Sequence, residues 1–263
     1  MRNNKGTFQF VFMIVLMLAL VAFPTSASAH HSWGRYHWAR TSNPFTLKLG
    51  NNVSSGWSSY LSTASTDWSK STVLDTNVVS GSAGSNCSPT QGRVEVCNAA
   101  YGSNGWLGIA QIWTTSGAHI IQGLAKMNDT YFSQSAYNTP AWKQLVMCQE
   151  VAHTFGLDHQ DERFDNPNLG TCMDYTNDPD GGGFYGPSNL HPNQHDYDQL
   201  VKIYSHLDST STIKAAPAGF ANADVHAIDN WGEKVSDNGK NAVFIKDFGD
   251  GFKIFTFVTW ASE

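Results

Sequence analysis

Charge is scarce in this chain. Asp, Glu, Lys and Arg make up 14% of its 263 residues, and the basic ones are the fewer, 16 against 22 acidic. A chain short of positive charge has no broad basic face for phosphates, which excludes nucleic acid and anionic membrane as main partners. Cysteine is also sparing. The four residues Cys87, Cys97, Cys148 and Cys172 include no C-x-x-C pair, which excludes a cysteine-based zinc cluster. No internal repeat and no long low-complexity segment occurs. There is one long apolar run, Phe8 to Phe23, preceded by Arg2 and Lys5 and followed by Ala27-Ser28-Ala29. It is slightly short for a bilayer and ends in a small-residue cleavage signal, so residues 1–29 read as a secretory leader cleaved before His30. Export, with no stable membrane anchor after cleavage, is the expectation.

An even number of cysteines in an exported chain predicts two disulfides. Three pairings are open, with Cys87–Cys97 favoured as a local loop. The rest of the chain alternates strand and helix signals. Phe45 to Gly50 alternates and ends in glycine, as a strand does. Trp57, Tyr60, Leu61, Ala64 and Trp68 recur at helical spacing. Val73–Val79, Val94–Val96, Trp106–Trp113 and His119–Asn128 read as further strands. A long helix begins with Thr139 as N-cap and Pro140 at the first helical position, and ends at Gly156. Another helix spans about Pro192 to Leu207, with Tyr197, Leu200, Val201, Ile203 and Tyr204 inward. The pattern predicts an α+β fold with a twisted mixed sheet. It divides into a main domain over 30–207, a Ser/Thr/Ala/Pro linker over 208–219, and a small β extension over 220–263 built on a hairpin at Asp247–Gly251.

The long helix carries the chemistry. Its last turns read Gln149-Glu150-Val151-Ala152-His153-Thr154-Phe155-Gly156-Leu157-Asp158-His159, the pattern Q-E-x-x-H-x-x-G-x-x-H. Residues four apart share a helix face, so Gln149 and His153 point the same way, with Glu150 one position round. A glycine break lets the chain turn back and bring His159 in from the side. Two ligands from a helix and one from beyond it, with a carboxylate beside an open position, suit catalytic zinc. Asp161 is a lesser candidate for the third ligand. Downstream lies Gly170-Thr171-Cys172-Met173-Asp174-Tyr175.

These two stretches together resemble the metzincin clan of zinc endopeptidases, whose pattern is H-E-x-x-H-x-x-G-x-x-H followed by a Met-containing turn. Glu150, His153, Gly156, His159 and Met173 match it. Tyr175, two residues after the methionine, matches the M-x-Y form of the astacin-like and serralysin-like branches. Gln149 departs from the usual histidine; an amide oxygen binds zinc more weakly than imidazole. The gametolysin-like branch is similar in showing Q-E-x-x-H. The resemblance implies a metzincin-like catalytic domain, zinc held by Gln149, His153 and His159, and Tyr175 as oxyanion stabiliser. It also implies that Ile109–Trp113 is an edge strand receiving an extended peptide. If the Met-turn lies beneath the metal helix, Cys148 and Cys172 meet, which gives the second disulfide.

The function expected is a secreted, monomeric zinc endopeptidase acting on protein or peptide, with Glu150 as general base. The alternative is a non-catalytic secreted binding protein on the same scaffold, suggested by Gln149 and the aromatic-rich tail. Calcium is a lesser cofactor candidate at Asp178–Gly183, which lacks EF-hand spacing. His119, His191, His195 and His206 read singly as surface or capping residues. No long pro-segment separates the leader from the first strand, so the sequence shows no built-in zymogen lock.

Overall fold

The computed structural model describes residues 31–84, 86–211, 217 and 219–261. The expected leader, and residues 212–216 and 218 of the expected linker, lie outside them. The fold is α+β. Among the described residues the nine strands are β1 (His37–Trp38), β2 (Phe45–Asn52), β3 (Leu74–Ser80), β4 (Val94–Ala99), β5 (Trp106–Thr114), β6 (His119–Asn128), β7 (Glu233–Asp237), β8 (Asn241–Asp247) and β9 (Lys253–Trp260). They form one sheet in the order β3-β2-β4-β6-β5-β9-β8-β7, with β1 beside β6. Strands β2, β3, β4 and β6 run parallel, while β5, β9, β8 and β7 pair antiparallel.

Parallel neighbours need a crossover, and helix α1 (Ser58–Trp68) supplies it between β2 and β3. A single turn, α2 (Asp129–Phe132), follows β6, and the long helix α3 spans Pro140–His153. Thr139 Oγ1 accepts the backbone N–H of Trp142 and caps α3. Trp68, Leu145, Val146, Val151 and Phe155 pack in a continuous core with the sheet residues Leu49, Val94, Ala110 and Ile112. The last helix, α4 (Gln194–Ile203), opens with a capping box in which Asn193 and Asp196 bond each other's backbone. It buries Leu200 and Ile203, whereas Val201, expected inward, lies on the solvent side and is 42% exposed.

The C-terminal strands, expected as a small extension, complete the main sheet. Strand β9 pairs with β5 from Trp106↔Trp260 to Thr114↔Lys253. Ile109–Trp113 is therefore not an edge strand, which corrects the expectation of a free peptide-receiving edge. The physical reason is a run of alternating apolar residues. Ile254 and Val258 face one side, Phe255 and Phe257 the other, so β9 is suited to burial on both faces beside β5. Residues 219–232 then cover the second face of the sheet. Trp113 Nε1 donates to the Phe220 carbonyl, Gln122 Nε2 to that of Ala221, and Trp231 Nε1 to that of Val225. One disulfide, Cys87–Cys97, lies at this second core; the other joins Cys148 to Cys172. Among the described residues, no helix is long and apolar enough to cross a membrane.

Candidate active site

Helix α3 brings Gln149, Glu150 and His153 to its buried C-terminal turns. At Gly156 the backbone adopts φ +94°, and a Cβ there would sit 2.3 Å from the Tyr36 carbonyl oxygen. Only glycine fits both demands, and the chain reverses there to deliver His159. His153 Nε2 and His159 Nε2 then face one another at 3.0 Å. The far nitrogen of each ring points at an acceptor. His153 Nδ1 lies 2.9 Å from the Leu157 carbonyl, which can only accept, so that nitrogen carries the proton. His159 Nδ1 lies 3.5 Å from Asp158 Oδ1 and 3.7 Å from Glu162 Oε1. His153 therefore turns the lone pair of its Nε2 toward His159 Nε2.

A proton on His159 Nε2 can meet that lone pair, and so can a cation held between the rings. Two nitrogens on tetrahedral zinc, each about 2.0–2.1 Å from the metal, stand about 3.3 Å apart. The Gln149 amide is available as well: its oxygen has only a 3.5 Å contact with Thr259, and its nitrogen is buried without a hydrogen-bond partner. The acceptors behind each imidazole are the outer partners that zinc-binding histidines usually have. The residues present therefore fit the metal. Asp161 does not join them. Its carboxylate accepts from the Arg163 backbone and the Asn166 amide, and its backbone pairs with Asp174.

The turn at 171–175 closes the site from another side. Met173 is fully buried in the main core, its carbonyl accepting from Gln160 N and its own N–H bonded to Thr171 Oγ1. The Cys148–Cys172 bridge joins the residue before Gln149 to the residue before Met173. Tyr175 sets its ring 4.3 Å from that of His159. Its hydroxyl is buried beside Thr259 and Asn241 without a well-formed bond to either, and burial, with the Glu150 charge, raises its pKa well above the usual value.

Strand β9 runs across this centre. Phe257 stacks on His153, with ring centroids 4.9 Å apart and planes 13° from parallel. Two residues on, Thr259 Oγ1 donates to Glu150 Oε1 at 2.8 Å. On the other flank Gly108 of β5, the register partner of Thr259, makes room for the carboxylate. A Cβ at Gly108 would fall 2.6 Å from Glu150 Oε1 and 2.6 Å from Val146 Cγ1. Glu150 is thus wholly buried, and desolvation pushes its pKa up to about 8 against the lowering effect of the Thr259 bond. Burial and the neighbouring His159 hold the His153 pKa well below the imidazole value. In this closed arrangement burial favours the protonated form of Glu150.

All the residues picked out from the motif converge here: Gln149, Glu150, His153, His159 and, through ring contact, Tyr175. Sequence reasoning missed Phe257 and Thr259. Their signal was the alternation of Lys253–Trp260, which marks a strand but not its partner.

No family model matches the chain, and no curated protein matches its sequence. Solved structures similar to it include high choriolytic enzyme 1, a hatching enzyme zinc-protease from Oryzias latipes (medaka fish). That likeness has 11% identity and a TM-score of 0.37, over 66% of this chain and 96% of the other. Myroilysin gives 11% identity and a TM-score of 0.37, over 64% of this chain and 96% of the other. Likeness of this depth assigns no reaction.

Proposed function

We propose that the chain is a secreted zinc-dependent endopeptidase of metzincin type, held in a closed resting form by its own C-terminal strand. The observation that carries the reading is the 3.0 Å meeting of His153 Nε2 and His159 Nε2 beside Glu150. Gln149, His153 and His159 hold the metal. Bound zinc supplies Lewis acidity, making a water acidic and polarising the scissile carbonyl. Glu150 accepts the proton of the attacking water and hands it to the leaving nitrogen, the work of a positioned general base and then acid. The Tyr175 hydroxyl donates to the oxygen on which charge develops. A protein or peptide substrate pairs with β5 in the place that β9 now fills, main chain to main chain. Two disulfides and the leader-like residues 1–29 support an oxidising, extracytoplasmic setting. A monomer is the expected state.

The second reading, a binding protein that no longer catalyses, draws on the same β9 contacts, which cover His153 and Glu150. Metal content and hydrolysis separate the two. The zymogen reading expects an equivalent of zinc that His153→Ala/His159→Ala removes. It also expects chelator-sensitive cleavage that rises in a folded Phe257→Ala/Thr259→Ala variant and is lost when Glu150→Ala is added. A folded Phe257→Ala/Thr259→Ala variant that holds zinc yet cleaves nothing would establish the binding protein instead.

A further inference from the structure

A second group of ligand-bearing side chains lies where β1, the start of β6 and the segment after α4 meet. Asp208 Oδ1 is approached by three imidazoles: His119 Nε2 at 3.1 Å, His37 Nε2 at 3.4 Å and His206 Nε2 at 3.6 Å. His37 Nε2 and His206 Nε2 are 3.2 Å apart. The donor atoms of His37, His206 and Asp208 all fall within 4.8 Å of one another, and His119 reaches the same carboxylate oxygen from beyond them.

His37 Nδ1 lies 2.6 Å from the Arg35 carbonyl, so it carries the ring proton, and the neutral ring turns a lone pair toward Asp208 Oδ1, itself an acceptor. A proton on His206 Nε2, 3.2 Å away, or a metal ion can meet that lone pair. Arg40 already serves the other carboxylate oxygen, donating to Oδ2 from its backbone at 3.1 Å and from Nη1 at 2.9 Å, and its Nη2 donates to the His206 carbonyl. The charge of Asp208 is thus paired without a protonated histidine, and His37 is only 3% exposed, where an added proton would lose hydration. What is left is two nitrogens and one oxygen, those of His37, His206 and Asp208, at mutual approaches of 3.2–3.6 Å, near the edge of about 3.3 Å expected for tetrahedral zinc. Imidazole with carboxylate is a donor set for zinc and its first-row neighbours rather than for calcium or magnesium. The Arg35 carbonyl behind His37 and the Arg40 guanidinium behind Asp208 are the outer contacts that fix such ligands.

We propose that His37, His206 and Asp208, with His119 an outer contact on the same carboxylate, bind a structural zinc ion separate from the candidate active site. Its placement gives it a role. Trp38, next to His37, donates from Nε1 to the Thr154 carbonyl at 2.8 Å, and Tyr204, two residues before His206, donates to the Phe155 carbonyl at 2.9 Å. Both bonds grip the end of α3 immediately after His153. The ion clamps the N-terminal arm to the segment after α4, and the two clamped pieces hold the turn that delivers His159.

The inference stands whether or not the chain is a peptidase, so it is tested in the His153→Ala/His159→Ala background, which lacks the other site. The chelator-stripped protein is titrated with zinc chloride, and metal is counted after gel filtration. One equivalent of zinc and a rise in Tm of several degrees are expected, with the visible spectrum of a tetrahedral site when Co2+ replaces zinc. Adding His206→Ala, at a side chain about half exposed and therefore tolerant of truncation, is expected to abolish all three. Lys143→Ala serves as a surface control and retains them. No retained zinc in the parent variant, or retention unchanged by His206→Ala, would overturn the proposal.

Discussion

Thr259 Oγ1 donates a 2.8 Å hydrogen bond to Glu150 Oε1, and this is the one hydrogen bond the carboxyl group makes with a side chain of β9. The other carboxyl oxygen is buried without a partner. A residue near the C-terminus thereby satisfies half of the most chemically significant side chain on α3. Thr259→Val keeps the shape and removes the donor. It is expected to destabilise the chain by ~1–3 kcal/mol, the cost of an unpaired buried polar group. It should also raise peptide hydrolysis several-fold as β9 loosens. Urea melting and initial rates on a fluorogenic peptide read the two effects separately; lower stability with unchanged rates would show that β9 does not gate the site.

Gly108→Ala tests the opposite flank. The new methyl would press on Glu150 Oε1 and Val146 Cγ1, both at 2.6 Å, and neither wall is loose. Overpacking of this kind costs ~1–3 kcal/mol. The expected result is a folded chain with lowered Tm and hydrolysis reduced at least ten-fold. An active Gly108→Ala variant would mean that Glu150 can move aside without loss.

The Cys148–Cys172 bridge closes a loop with a sequence separation of 24. By the chain-entropy estimate its removal costs about 3 kcal/mol. Cys148→Ser/Cys172→Ser should therefore melt earlier and, because the bridge fixes the helix turn carrying Gln149 to the Met173 turn, bind zinc at the His153–His159 site more weakly. Equilibrium unfolding and competition with a chromophoric chelator measure both.

Lys126 gives a pH signature of its own, outside both histidine clusters. It is 2% exposed, its Nζ lies 3.1 Å from His226 Nδ1, and burial lowers its pKa to about 8 against the opposing charge of Asp224. The unfolded chain holds this proton up to a pKa near 10.4 and the folded chain releases it near 8, so this group makes stability rise with pH between those values. The full change is on the order of 3 kcal/mol. Lys126→Met should raise stability at pH 7 and flatten the difference curve above pH 8, measured by urea melts from pH 6 to 10.

Much of this was legible in the residues. The 3.6-residue period and the Thr139-Pro140 start located α3, and Gly156 located the reversal, because these signals are local and each has one dominant physical cause. The pattern of Gln149, Glu150, His153 and His159 was legible because four side chains on a helix and its exit loop keep a fixed geometry. The partner of a strand is different. Lys253–Trp260 announces β structure, yet nothing local says that Thr259 will oppose Gly108, since that pairing depends on closure over about 150 residues. The second cluster was hidden for the same reason. His37, His119, His206 and Asp208 come from three distant segments, and His119 and His206 alone read as surface or capping residues.

All nine residues of β5 are buried, and β9 presents Phe255 and Phe257 on one face and Ile254 and Val258 on the other. If β9 lifts away as proposed, both strands become long apolar edges with unpaired backbone groups. Edges of that kind pair with whatever extended chain is nearest, including the same edge on another molecule. Opened copies are therefore targets for one another as well as for substrate. Protein concentration becomes a determinant of how long the open form survives, and dilute solution, or prompt occupation by substrate, is what keeps it from self-association.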